Sequence, residues 1–149
     1  NWNHFRMIRR LWPGHLVIKG ILDVRDARLA VDSGADGIIV SNHGGRQLDG
    51  TVPPLRVLPG IVQACPEVPV MIDSGFRRGT DVLKAVALGA KFVFVGRPFN
   101  YAASVAGEDG VRKAIGLLRE EVSRNMAMLG VNGLSELDAS YLLPAHPVS

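Results

Sequence analysis

Short apolar runs alternate with amphipathic stretches along this chain, and the alternation predicts strands and helices in turn. The run His15-Leu16-Val17-Ile18-Lys19-Gly20 predicts a first strand, and residues 23–33 a helix that Asp23 caps and Gly34 ends. Gly37-Ile38-Ile39-Val40 is apolar on both faces and bounded by glycine, the pattern of a fully buried strand. A polar, proline-containing connection then runs to Pro54. Residues 55–64 predict a helix with Val57, Leu58, Ile61 and Val62 on its apolar side. The third strand is expected over residues 68–72 with a helix over 80–88. The fourth is expected over 91–95 with a helix over 98–106, which Pro98 suits as a first-turn residue. After Gly107-Glu108-Asp109-Gly110 a long helix carries Val111, Ile115, Leu118, Val122, Met126 and Leu129 along one line. Residues 131–149 read as a tail with one or two short turns, and a helical pattern around Met7 precedes the first strand.

An internal repeat supports this parse. Residues 30–40 resemble residues 85–95: each is a helix end, a Gly-Ala turn and a buried strand. Repeated strand-helix units with nearly continuous apolar strands imply α/β architecture with parallel strands covered by helices. Four units are half of a (β/α)8 TIM barrel, which typically needs about 250 residues. A small open doubly wound sheet is the alternative, but no strand is followed by a GxGxxG turn. The half barrel is therefore the expected fold, with residues 1–130 as its body. A chain that opens at Asn1, with its first methionine inside a helix, is expected to be a piece of something larger.

Composition narrows the function without naming it. A hydrophobic share of 47% against 21% charged residues is globular rather than disordered. The net charge of +3 comes from dispersed basic residues, and aromatic residues make up only 6%, which argues against a nucleic-acid surface. A lone cysteine, Cys65, rules out an internal disulfide framework and fits a reducing compartment. No apolar run reaches membrane-spanning length.

Chemistry is concentrated where the predicted strands end. The second strand runs straight into Ser41-Asn42-His43-Gly44-Gly45-Arg46-Gln47-Leu48-Asp49, which supplies a base, a carboxylate-binding guanidinium and permissive glycines together. In parallel α/β folds this end of the sheet holds the active site. Alone, His43 reads as a satisfied structural residue; its companions reverse that weighting. The first strand delivers Lys19-Gly20, the third Asp73-Ser74-Gly75-Phe76-Arg77-Arg78-Gly79-Thr80-Asp81, and the fourth Gly96-Arg97-Pro98. The last two segments make a phosphate cradle: bare backbone amides, a helix N-terminus and arginines. Barrels commonly bind phosphate after their last two strands, which these would be.

These segments, in this order and spacing over residues 1 to about 140, resemble the C-terminal half (strands five to eight) of the FMN-dependent 2-hydroxy acid dehydrogenases and oxidases. That family includes glycolate oxidase, lactate dehydrogenase and mandelate dehydrogenase. The resemblance implies FMN as cofactor and oxidation of an L-2-hydroxy acid to the 2-oxo acid. It implies Lys19 beside the flavin N1 and C2 carbonyl, and Ser41 on the pyrimidine edge. His43 becomes the base that takes a substrate proton while the Cα hydrogen passes to flavin N5, and Arg46 the clamp on the substrate carboxylate. Asp73, Gly75, Arg77, Gly96 and Arg97 match the positions at the ribityl phosphate end. Other FMN barrels, or a half barrel that only binds a phosphate ligand, remain as alternatives. The family's flavin-binding tyrosine, the aspartate that orients the histidine, and a further substrate-binding arginine and tyrosine belong to its N-terminal half, so none is assigned here. The same resemblance implies an electron acceptor (oxygen, a quinone or a redox protein), association with the N-terminal half, and a homotetramer. It implies a cytoplasmic enzyme, with peripheral contact at the inner face of a membrane left open.

The remaining conspicuous residues carry ordinary expectations. His4, His15 and His146 show no ligand spacing. Trp2, Phe5 and Trp12 are expected to pack beside the first helix, and Cys65 to be inert. Arg112, Arg119 and Arg124 with Glu120 and Glu121 are expected on the wet face of the long helix or at an oligomer contact.

Overall fold

The computed structural model describes residues 1–143; His146 lies outside them. Its elements run α1 (Trp2–Leu11), β1 (Val17–Ile21), α2 (Val24–Asp32), β2 (Gly37–Val40), α3 (Pro54–Ala64), β3 (Val70–Ile72), α4 (Gly79–Ala87), β4 (Phe92–Val93) and α5 (Arg97–Leu129). The strands form one sheet in the order β1-β2-β3-β4, with every neighbouring pair parallel. Each strand-to-strand crossover carries a helix, so all four strands end at the same edge.

Local chemistry explains where the elements begin and stop. Asp23 caps α2 by accepting the Arg25 N–H at 2.8 Å, and Gly34 ends it at φ +96°. The core lies between the sheet and α2, α3 and α4, around fully buried Ile38, Val40, Leu58, Ile61, Cys65 and Ile72. Burial of each large aliphatic side chain contributes about 1.5–3 kcal/mol. Burial also pushes the Cys65 thiol up, away from its reactive thiolate form.

Several expected boundaries shift. The first strand begins at Val17 because the Leu16 N–H donates to Asp36 Oδ2 and the His15 carbonyl accepts the Trp12 indole N–H, which draws both residues from the ladder. The third strand begins at Val70, two residues later than expected. The fourth is only two residues long, although β1 at the other edge of the sheet keeps five. The two expected terminal helices run together as α5 but break at Ala106 and Gly107, where φ is −148° and +54°. The apolar line along α5 is only partly covered: Val122 and Met126 pack inward, while Ile115 is 52% exposed. Beyond Gly130 two short 3-10 turns follow, and Val131 and Leu137 pack onto Leu83 and Ala87 of α4. Trp2 packs on the core with Phe5 at its edge, whereas Trp12 stays exposed.

The approach of α4 to α5 depends on one absent side chain. A Cβ on Gly79 would lie 2.6 Å from the Val122 backbone nitrogen. Gly79→Ala is therefore expected to lower unfolding stability by about 2 kcal/mol through overpacking. Denaturant unfolding of the enzyme that carries this segment checks it; an unchanged midpoint would show that α5 moves aside freely.

Candidate functional site

The site is built from four strand ends, starting with β1. The ladder between β1 and β2 slips between Lys19 and Ile21, leaving Gly20 as a bulge at φ +102°. A Cβ on Gly20 would stand 2.8 Å from His43 Nε2, so the bulge makes room for the imidazole. Lys19 reaches across the end of β2. Its Nζ lies 2.8 Å from Ser41 Oγ and 2.7 Å from Asp73 Oδ2 at the end of β3.

After β2 the chain turns through His43, Gly44 and Gly45 at φ +56°, +68° and +74°, a 3-10 turn that the sequence did not announce. A left-handed conformation costs a non-glycine residue roughly 1–2 kcal/mol. Local hydrogen bonds hold His43 there. Its N–H donates to Ser41 Oγ at 3.0 Å, and the next N–H, that of Gly44, reaches Asn42 Oδ1 and Ser74 Oγ, both at 3.0 Å. Ser41 is fully buried, so its hydroxyl needs these partners.

Asp73 sits within this polar cluster. Burial pushes its carboxyl up, but hydrogen bonds from Lys19 and from the Ser41 and Ser74 hydroxyls outweigh burial and hold it below its ordinary range. The Ser74 hydroxyl donates to Asp73 Oδ1 at 2.9 Å. Asp73 thus stands with Lys19 rather than among the arginines.

The cradle is more selective than its sequence suggests. Asp81 Oδ2 accepts the N–H groups of Arg77 and Arg78, both at 3.0 Å, and Glu121 Oε2 accepts that of Gly79 at 2.7 Å. Arg78 turns away to pair with Glu121 at 2.7 Å. Glu121 is therefore no wet-face residue: it caps α4, and its carboxyl is held low chiefly by the Gly79 N–H. The α4 terminus is already satisfied. The N–H groups of Gly75, Phe76 and Gly96, by contrast, form no backbone hydrogen bond among the described residues. They adjoin the N-terminus of α5, where the Phe99 and Asn100 N–H groups already bond the Gly96 carbonyl and Pro98 has no N–H to offer. Arg97 Nη2 donates to the Gly44 carbonyl at 3.2 Å and ties the last loop to the histidine turn.

These parts surround one cavity of about 360 Å³. Lys19, His43, Arg46 and Asp73 line it together with Gly75, Arg77, Gly96 and Arg97. Ser41 lies beneath, bonded to Lys19. The sequence-predicted residues thus converge. Ser74 and Gly20 were missed; the only signal for Ser74 was a polar residue in an otherwise glycine-rich turn. Among the described residues no ion pair claims Arg46 or Arg77. Bare amides, two arginines and a helix terminus suit a phosphate monoester, and a lysine in the same cavity suits an electron-rich ring edge, so the donor set fits FMN.

Comparison with known proteins agrees. The family model for FMN-dependent dehydrogenases matches residues 1–144. An L-lactate dehydrogenase of Pseudomonas aeruginosa is 48% identical over 144 residues, which is 96% of this chain and 38% of that protein. The (S)-mandelate dehydrogenase of Pseudomonas putida is 45% identical over 142 residues, 95% of this chain and 36% of the relative. Among solved structures, the monotopic membrane protein (S)-mandelate dehydrogenase superposes with a TM-score of 0.94 at 44% identity, covering 97% of this chain and 39% of that one. A mandelate oxidase variant with (S)-mandelic acid gives 0.87 at 50% identity, over 91% of this chain and 41% of the other. The chain thus spans well under half the length of these relatives, and its four-stranded parallel sheet is half of a (β/α)8 barrel. With the family pattern running through nearly every residue, the chain belongs to the FMN-dependent dehydrogenase family.

Proposed function

We propose that this chain forms the C-terminal half, strands five to eight, of an enzyme that oxidises an L-2-hydroxy acid of the lactate or mandelate class to its 2-oxo acid. The observation that carries this reading is convergence: a base, a free guanidinium, a lysine and a phosphate cradle share one cavity at the strand ends. Bound FMN supplies the two-electron acceptor for the substrate Cα hydrogen. His43 accepts the hydroxyl proton as the carbonyl forms. Arg46 grips the carboxylate in two hydrogen bonds and so fixes which face of Cα is presented. Lys19 offers its ammonium to the electron-rich edge of the ring system, with Asp73 and Ser41 holding the amine in place. Arg77, Arg97 and the amides of Gly75 and Gly96 receive the phosphate, while Asp73 keeps acceptor capacity for a ribityl hydroxyl. The remaining half of the barrel is the first partner, and assembly into a homotetramer is part of the same proposal, suggested by the family resemblance. Peripheral placement at the inner face of a membrane is part of the same proposal. One neighbour is a monotopic membrane protein, and no helix among the described residues is long and apolar enough to cross a membrane.

Anaerobic reduction of the complete enzyme by lactate or mandelate, followed by flavin absorbance, tests this function. His43→Gln should slow reduction by at least about a hundredfold with flavin still bound. Arg46→Met should weaken carboxylate substrates about ten- to hundredfold, and Arg77→Ala should weaken FMN binding by a similar factor. Bound flavin that no 2-hydroxy acid reduces, or variants that behave as wild type, would defeat the assignment.

Asp73 also sets a pH dependence. Because its folded carboxyl titrates below the unfolded value, the ion pair stabilises fully above about pH 3.9. That contribution is lost as pH falls through the lower folded value. Wild type should therefore exceed Asp73→Asn in stability at neutral pH, and the gap should close in acid. Denaturation profiles measured across pH check it; a gap that persists in strong acid would assign the difference to packing rather than charge.

A further inference from the structure

Ser74 combines three observations that its family signature does not explain. Its φ of +79° lies in the region that disfavours any L side chain, and Gly75, next to it, sits at +85°. A glycine would occupy that position without strain. The serine hydroxyl is nevertheless fully used. It donates to Asp73 Oδ1 at 2.9 Å and accepts the Gly44 N–H at 3.0 Å, and Ser41 Oγ stands 3.5 Å away. A hydroxyl has one proton to give; with that proton on Asp73, its lone pairs face Gly44 and Ser41.

The consequence falls on His43. The peptide before its Cα is fixed by its own N–H on Ser41 Oγ, and the peptide after it by the Gly44 N–H, which Ser74 Oγ shares with the local acceptor Asn42 Oδ1. Two hydroxyls, one from the end of β2 and one from the end of β3, thus clamp both peptide planes that flank a histidine held at φ +56°. With both planes fixed, the Cα–Cβ direction is fixed, and the imidazole is delivered into the notch left by Gly20.

We infer that Ser74 is a positioning residue: its hydroxyl locks the left-handed turn that aims His43, and couples that turn to the Lys19–Asp73 pair. The inference rests on the proposed role of His43 in 2-hydroxy acid oxidation. It predicts that the hydroxyl, not the backbone shape, is what matters. Ser74→Gly relieves the strain at positive φ, whereas Ser74→Ala keeps it, yet both lose the tie from the β3 loop and leave the Gly44 N–H on Asn42 Oδ1 alone.

The test uses the complete flavoenzyme with lactate or mandelate in anaerobic single-turnover reduction, alongside a crystal structure of the Ser74→Gly variant. Both variants should reduce bound flavin about ten- to hundredfold more slowly, the scale of an ångström-sized misplacement. The substrate concentration for half-maximal rate should stay within about twofold, because Arg46 is untouched. In the Ser74→Gly structure the His43–Gly44 turn should depart from its wild-type position. Wild-type rate constants per bound flavin in both variants, with only melting temperature or flavin content reduced, would overturn the inference. If the wild-type enzyme reduces its flavin with no 2-hydroxy acid, the proposed function fails, and the crystal structure alone decides Ser74. An undisplaced histidine turn then overturns the positioning role, and a displaced one upholds it.

Discussion

The Lys19–Asp73 ion pair joins strands that are not neighbours. β2 lies between β1 and β3, and Lys19 spans its end to reach Asp73, with the buried Ser41 hydroxyl as an intermediate support. At 40% and 20% side-chain exposure the pair is partly shielded, so neither partner is easily replaced by water. Without Lys19, Asp73 loses its counter-charge and Ser41 one of its donors. The histidine turn leans on Ser41, and the last loop leans on that turn through Arg97. The charge pair is thus one end of a series of contacts that links four loops with no sequence continuity. The Gly20 bulge belongs to the same constraint: it follows Lys19 directly and clears the volume that His43 needs.

Electrostatic sorting then decides where an anion can sit. Two helix N-termini, those of α4 and α5, open near the same edge, and both attract negative charge. Asp81 and Glu121 neutralise the first with their carboxylates. Beside the second, the amides of Gly75, Phe76 and Gly96 form no backbone hydrogen bond among the described residues, and Arg77 and Arg97 line the same cavity. Because Arg78 is drawn to Glu121, the adjacent arginines divide their work: one holds α5 against α4 and the other faces the cavity. Asp73, the acidic residue of the same loop, is kept away from the anion's place by Lys19. Like charges are thereby separated within a space of a few hundred cubic ångströms.

Much of this was legible in the sequence, for physical reasons that can be named. β2 was found to the residue because Gly37-Ile38-Ile39-Val40 is bounded by glycines and buried on both faces. α2 and its cap were legible because Asp23 and Gly34 are local signals. The strand-end chemistry was legible because parallel topology gathers those ends whatever the details. Features that depend on long-range partners were not. Nothing near Leu16 shows that its N–H will bind Asp36, and nothing near Glu121 shows that it will cap a helix more than forty residues earlier. Ser74 was illegible for a related reason: its value lies in the Gly44 amide, thirty residues away.

The unpaired edges of the sheet bear on why such a site needs more than this segment. Among the described residues β1 pairs only with β2, and β4 only with β3, so each presents a row of open backbone groups. Phe92 on β4 is 56% exposed and Val17 on β1 is 43% exposed, as large apolar side chains are at a surface awaiting cover. Closing a sheet into a barrel removes both edges at once and covers those side chains. On the proposed function, closure would also add walls to the cavity at these strand ends. A base and a carboxylate clamp act more strongly once water is excluded, because screening falls with it. On the proposed function, the loops of this half would position the base and the clamp, and the strands that complete the barrel would exclude the water that screens them.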